Sequence, residues 1–479
     1  MTLKPGGFWT RRWLVTYAGI SILVLATLHV VREYHHASFI TDHHLPLPYT
    51  TAGSTYHDPC ASLGGLEDVF IIIRTGSNEV HKKLPSLLNT TLPCYRHYGI
   101  WSDREEEFAG QRIGNALDEL DSGLVSQHPD FEYYRRLQEH GKGAGFTSEE
   151  IEGWKDAPNT GFGRDVPGWK LDKWKFLPTA NKAYRQSPTS KWYIFTELDT
   201  YIFWNSLLTW LSHLDASQPY YIGRQMNMGS DRFAYGGAGI IISNPAMRLL
   251  VERSENDTRA YNELTLSQWA GDYVLSKVMG DAGVELSWAW PTLEGDMPST
   301  LDFRANSRAG YPLWCYYATT YHHMAPENIH SYFAFDQDWD SKRNASHPQF
   351  PRHSDLFRKF VLPHLSHRID EWDNLSTDVR TGDPTTFEEC RAFCVDRAEC
   401  LQFSFLEATG LDNSNICKTL DTIKLGQKRV PRPESEVEGL SAEEKEKNRN
   451  ISSGWIVDRV EGFMRDLDGR CSGQDWVAV

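Results

Sequence analysis

The sequence predicts an α/β protein in which the α/β domain follows a transmembrane helix and precedes a small disulfide-rich α+β module. Three observations predict this. An uncharged apolar run fills residues 13–31, strand-like and helix-like segments alternate from residue 67, and five of the eight cysteines crowd into about the last ninety residues.

The apolar run is WLVTYAGISILVLATLHVV. As a helix rising about 1.5 Å per residue it would reach ~28 Å, close to the ~30 Å hydrocarbon thickness of a bilayer. Lys4, Arg11 and Arg12 precede it, which keeps the N-terminus cytosolic under the positive-inside rule. A cleaved signal peptide is the rival, but no small-residue cleavage site follows; the chain runs straight into Arg32, Glu33 and Tyr34. The expected divisions are a cytosolic tail at 1–12, an anchor at 13–31, a stem at 32–66, a folded domain at 67–383 and a Cys-rich module at 384–479. Four stem histidines (His35, His36, His43, His44) read as part of a solvated linker rather than a metal site.

Within the folded domain, residues 69–73 (VFIII) form a short β-branched apolar run, which suits a strand buried on both faces. Helical spacing follows through HKKLPSLLNTTL, and YGIWSD reads as a second strand. Strand, helix, strand is the opening of a parallel α/β sheet. Residues 121–168 are polar and Gly-rich, with a helical piece at 131–140, and read as an insertion or loop. Strand character returns at 192–195 (WYIF) and 238–243 (AGIIIS).

Composition narrows the function. Apolar residues make up 40% of the chain and Trp occurs 17 times, enough for a packed core. The net charge of −15 has no large basic block against it, which excludes nucleic acid as an expected partner. Sequons at Asn89, Asn256, Asn344, Asn374 and Asn450 are candidate glycan sites in an exported protein. Cys390, Cys394, Cys400, Cys417 and Cys471 lack paired CxxC units and interleaved His, so disulfides are favoured over zinc.

Chemistry concentrates in a few segments. In WYIFTELDTYIFW a strand runs out into Glu197, Leu198 and Asp199. Residues i and i+2 of a strand share a side, so both carboxylates would face one site at its C-terminal end, where α/β sheets bind ligands. Carboxylates suit Mg²⁺ or Mn²⁺. Acidic-x-acidic triplets arise by chance about eight or nine times in so acidic a chain, so placement after a buried strand is what raises this one. Residues 233–239 (FAYGGAG) bring Gly236 and Gly237 before a strand, as a turn or a close approach to a ligand. In WAGDYVL, Asp272 opens a helix, either as a cap or as a general base. TYHHM offers His322 and His323 as a further metal ligand or as structural imidazoles.

The order DVFIIIRTG, GIWSD, ELDTYIFW, YGGAG, GDYVL and a late His resembles glycosyltransferase family 31, in particular the Fringe and core 1 β1,3-galactosyltransferase branch with its fungal members. The resemblance spans about residues 67–331, with 121–168 unmatched. It implies a GT-A fold with a Rossmann-like mixed sheet. It also implies inverting transfer of a hexose or N-acetylhexosamine from a UDP-sugar to a glycan or glycoprotein acceptor, with Mn²⁺ (or Mg²⁺) and a β1,3-linkage. The expected place is the Golgi or ER membrane, single-pass type II, with the catalytic domain lumenal. Under the resemblance Asp199 is the metal ligand, joined by His322 or alternatively His323. Asp272 is the catalytic base, Arg74, Thr75, Asp103 and Glu197 hold the donor, and Gly236 and Gly237 lie beside the reacting sugar. Glu197 stands where the family more often has Asp, and Gly271 where it has an acidic residue. The segment TFEECRAFCVDRAECLQFSF with Cys417 resembles a PAN/Apple domain, as a binding module or as a disulfide-stabilised cap. The alternative function is a catalytically inactive carbohydrate-binding or adhesion protein working through that module.

Overall fold

The computed structural model describes residues 60, 63–141, 145–155, 167–343, 350–380, 382, 384–408, 414–431, 446 and 448–479. The strands of the first two-thirds are, in chain order, β1 (Val69–Arg74), β2 (His97–Ser102), β3 (Glu106–Phe108), β4 (Gln111–Asn115), β5 (Trp192–Glu197), β6 (Tyr201–Ile202), β7 (Tyr221–Gly223), β8 (Gln225–Met228), β9 (Asp231–Ala234), β10 (Ile240–Ser243), β11 (Leu286–Trp288) and β12 (Thr320–Tyr321). Eight of them form one mixed sheet in the order β11-β7-β10-β5-β1-β2-β4-β3. The predicted α/β class is compatible with this sheet. The transmembrane helix written into that class is a correction: among the described residues no helix is long and apolar enough to cross a membrane. The span at 13–31, like the tail at 1–12 and most of the stem, lies outside the described residues.

The uninterrupted apolar run of β1 follows from having a core on both faces. Val69, Ile71 and Ile73 pack into one hydrophobic cluster and Phe70 and Ile72 into the other, as the period of two requires. In β5, Trp192 and Ile194 alternate in the same way with Tyr193 and Phe195. Helices Phe176–Gln186, Asn244–Asn256 and Gly271–Asp281 supply Phe176, Met247 and Leu275 to the second face. Residues 121–168, expected as an insertion or loop, are largely helical where described. Ser122–Gln127, Glu132–His140 and Ser148–Lys155 are helices, and Phe131, Tyr134 and Leu137 are buried. Their few apolar positions are dispersed among charges, which hid a packing face from a simple periodicity count.

Pro59–Val479 is one compact unit. The C-terminal sheet pairs Gln402–Leu406 with Ile416–Leu420 and Ile451–Trp455. It also takes in Ile369–Asp370 and Asp378–Arg380, upstream of the expected boundary at 384. The closing helix Val457–Gly469 buries Val460, Phe463 and Leu467 on one side, in the same cluster as Ile71 and Trp314. All eight cysteines pair, as Cys60–Cys94, Cys315–Cys471, Cys390–Cys417 and Cys394–Cys400.

Two predictions follow from this packing. Loop closure over the 156-residue separation of Cys315–Cys471 is worth about 5 kcal/mol, against about 2 kcal/mol for Cys394–Cys400 with a separation of 6. Urea unfolding of the two double Cys→Ala variants should rank them in that order. Asn374 is fully buried, with Nδ2 donating to the Phe403 carbonyl at 3.0 Å, which corrects the expectation of a candidate glycan site there. Peptide mapping after expression in a secretory host should find Asn374 unmodified while the exposed Asn89 and Asn256 are open to glycans; a glycan on Asn374 in folded protein would refute its placement.

Candidate active site

β1, β2 and β5 run parallel, so their carboxyl ends open on one edge. β10 is antiparallel to β5, with Ile240 opposite Phe195, so the glycine turn before β10 comes back to the same edge. β12 pairs with β6, Tyr321 opposite Tyr201, and the Met324 N–H donates to the Asp199 carbonyl at 3.0 Å. Segments far apart in sequence therefore bring Arg74, Glu197, Asp199, Gly236 and His322 together.

The centre is a relay of alternating charge. Arg74, 1% exposed, donates to Glu197 Oε1 at 2.7 Å and to Asp172 Oδ1 at 3.1 Å, with its guanidinium 3.4 Å from the centre of the Phe176 ring. Glu197 Oε2 lies 3.3 Å from His322 Nε2, which is 3.2 Å from Asp199 Oδ1. Asp199 Oδ2 accepts from Lys83 Nζ at 3.0 Å, and Glu79 also engages that ammonium. Burial opposes the charges on Lys83, Glu197, Asp199 and His322, yet the neighbours win. Burial pulls His322 down, but Asp199 and Glu197 raise it to about 10. Burial pushes Asp199 and Glu197 up, but His322, with Lys83 on Asp199 and Arg74 on Glu197, holds both carboxyls below the usual range.

Asp199, His322 and His323 each offer a ligand atom within 4.8 Å of the others. One hard carboxylate with two imidazoles is a donor set that accepts a divalent transition ion. The proton on His322 occupies the place such an ion would take, because bound imidazole must be neutral. Tyr235 OH lies 3.0 Å from His322 Nδ1 and 3.3 Å from His323 Nε2, orienting both rings. The alternatives His322 and His323 thus stand together at one place.

Asp272 lies in the first turn of the helix Gly271–Asp281, 8% exposed. Its Oδ2 accepts from Gly236 N–H and its Oδ1 from Tyr273 N–H, both at 2.9 Å. Burial raises its carboxyl to about 6 despite those bonds. With Trp169, Trp269, Met226, Gly237, His322 and His323 it lines a cavity of about 360 Å³. The glycines have steric reasons. A Cβ on Gly237 would stand 2.2 Å from His322 Cε1, and one on Gly271 would stand 2.4 Å from Phe176 Cδ2 and 2.6 Å from the Lys173 carbonyl. No acidic side chain fits at 271.

Thr75 and Asp103 are not brought to this cavity. Asp103 accepts from Ser77 N–H at 2.7 Å and from Ser77 Oγ at 3.1 Å, while the Thr75 carbonyl accepts from buried Lys175 Nζ at 2.8 Å. Both residues fasten the turn after β1. Sequence reasoning missed Lys83, Asp172, Phe176 and the hydroxyl of Tyr235. Lys83 reads as one of two lysines on a solvated helix face, and only the fold places it over Asp199. No family model matches the chain, and no curated protein matches it.

The raised Asp272 carboxyl has a stability consequence with a definite sign. Unfolded, it titrates near 3.9. Below about pH 4 it is neutral in both states, and above about 6 the native state alone bears the cost of a buried charge. Stability contributed by the protonated form is therefore lost as pH rises from about 4 to 6. Asp272→Asn should be more stable than the parent at pH 7.5 by about 1–2 kcal/mol, the lost bond from Tyr273 N–H offsetting part of the gain. Urea midpoints should converge at pH 4; an equal gap at both pH values would sink the assignment.

Proposed function

We propose that the chain is an inverting, metal-dependent glycosyltransferase of the family 31 type. It would move a hexose or N-acetylhexosamine from a UDP-sugar to a hydroxyl of a glycan or glycoprotein, with the β1,3-linkage that the resemblance implies. The observation that carries the reading is one cavity lined both by Asp272, whose carboxyl is raised to about 6, and by His322 and His323, the two imidazoles that cluster with Asp199 behind the wall. Four disulfides with no free cysteine support an oxidising, secretory compartment.

A general base works best when its pKa lies near the working pH. Asp272 meets that condition through burial, and two backbone N–H groups fix its plane. It would take the proton of the acceptor hydroxyl as that oxygen forms its bond to the anomeric carbon on the face opposite the departing UDP. One displacement inverts the anomeric centre, so no enzyme nucleophile is required. Asp199, His322 and His323 would hold the divalent ion, which when bound supplies positive charge against the leaving diphosphate. Glu197 and Tyr235 position the imidazoles, and Gly237 leaves room for the His322 ring.

UDP release from a UDP-sugar should require Mn²⁺ and stop with chelator. Asp199→Ala should lower kcat/KM by about 100-fold or more, and Asp272→Asn should lower kcat by about 1,000-fold. The parent kcat/KM should rise as pH passes about 6, where Asp272 loses its proton. Normal turnover by Asp199→Ala defeats the metal assignment; full activity in Asp272→Asn removes the base.

A further inference from the structure

A second cavity of about 720 Å³, twice the volume of the one over Asp272, lies on the other side of the β8–β9 hairpin. The hairpin pleat divides the two. Met226 opposes Phe233 and both line the Asp272 cavity, while Arg232, the next residue along β9, lines the larger one. Gln225 borders both, and its buried Oε1 accepts no hydrogen bond among the described residues. Within the larger cavity two guanidiniums converge on one indole: Arg232 lies 4.6 Å and Arg308 5.2 Å from the centre of the Trp288 ring. Neither makes an ion pair among the described residues, although the chain carries 64 acidic side chains. Glu285 is the acidic side chain on this wall, and it, Arg232 and Arg308 are all exposed. Trp290 and Tyr311 add ring surface.

We propose that this cavity is an extension of the acceptor site that binds an anionic saccharide. A carboxylate or phosphate on the sugar meets the Arg232 and Arg308 forks, and a hydroxyl of an adjoining sugar donates to Gln225 Oε1. The chemistry fits. Planar guanidiniums pair with carboxylate or phosphate through two parallel hydrogen bonds. Indole and phenol rings present flat apolar surface to the C–H face of a pyranose. A buried acceptor without a donor is costly and gains from a ligand hydroxyl. Gln225 joins the two cavities, so an oligosaccharide offering its terminal hydroxyl to Asp272 would run past it. The word acceptor rests on the transferase reading; the anion-binding cavity does not.

The test is isothermal titration of the full chain with three trisaccharides that differ in one residue: neutral glucose, its uronic acid, or its 6-phosphate. At least one charged form should bind about tenfold or more tightly than the neutral one, and which one identifies the anion. Arg232→Gln/Arg308→Gln should abolish the preference while leaving neutral affinity and near-UV circular dichroism unchanged. Gln225→Leu should weaken all three ligands together. Equal affinity for all three forms, or a preference that survives the double variant, overturns the proposal. No sugar donor is present in the titration, so a charged preference without UDP-sugar turnover would defeat the transferase reading alone. Turnover without the preference would defeat this proposal alone.

Discussion

The site depends on keeping like charges apart inside a low-dielectric edge. Asp199 is a buried carboxylate and Glu197, two residues before it, a partly buried one, and the cations between and beside them keep both ionised. The fold supplies Arg74, His322 and Lys83 in alternation with them. Each charge is expensive to bury alone and tolerable only as a member of the set. That is why the relay draws on β1, β5, the segment after β12 and the helix Val80–Leu88, and why the sheet order that joins these elements matters more than any one contact.

Glu197 shows how the relay accounts for a departure from the pattern that the sequence resembles. Its carboxylate touches Arg74 with one oxygen and His322 with the other. An Asp at that place, one methylene shorter, would have to give up reach toward one of them. Gly271 is the converse case, in which the packing of Phe176 and Lys173 leaves no volume for the acidic side chain that the pattern expects. Both departures are local solutions to crowding around Arg74 and Phe176.

Much of the sheet was legible because strands buried on both faces are written as apolar runs: VFIII and WYIF lie inside β1 and β5. Asp199, His322 and Asp272 were legible as chemistry-bearing residues at element ends. Lys83, Phe176 and Tyr235 were not, because their roles depend on pairing between segments a hundred residues apart, and no local pattern encodes that. Thr75 and Asp103 lie outside the cavity over Asp272. The resemblance alone assigned them to the donor, and in the fold the Asp103 carboxylate accepts from Ser77 and the Thr75 carbonyl from Lys175. The burial of Asn374 was hidden because a sequon says nothing of the sheet that closes over it. The link from Cys315 to Cys471 was equally hidden, since spacing gives no connectivity.

That link also decides how the molecule would carry a mechanical load. Tension applied beyond Cys471 passes through the sulfur bridge to Cys315, only seven residues before His322. The chain between the two cysteines, including the whole C-terminal sheet, is bypassed and bears no force. The imidazoles of His322 and His323 sit within that shielded loop, and the load path continues from Cys315 toward the N-terminus, through the segments that carry Asp272, Gly236 and Asp199.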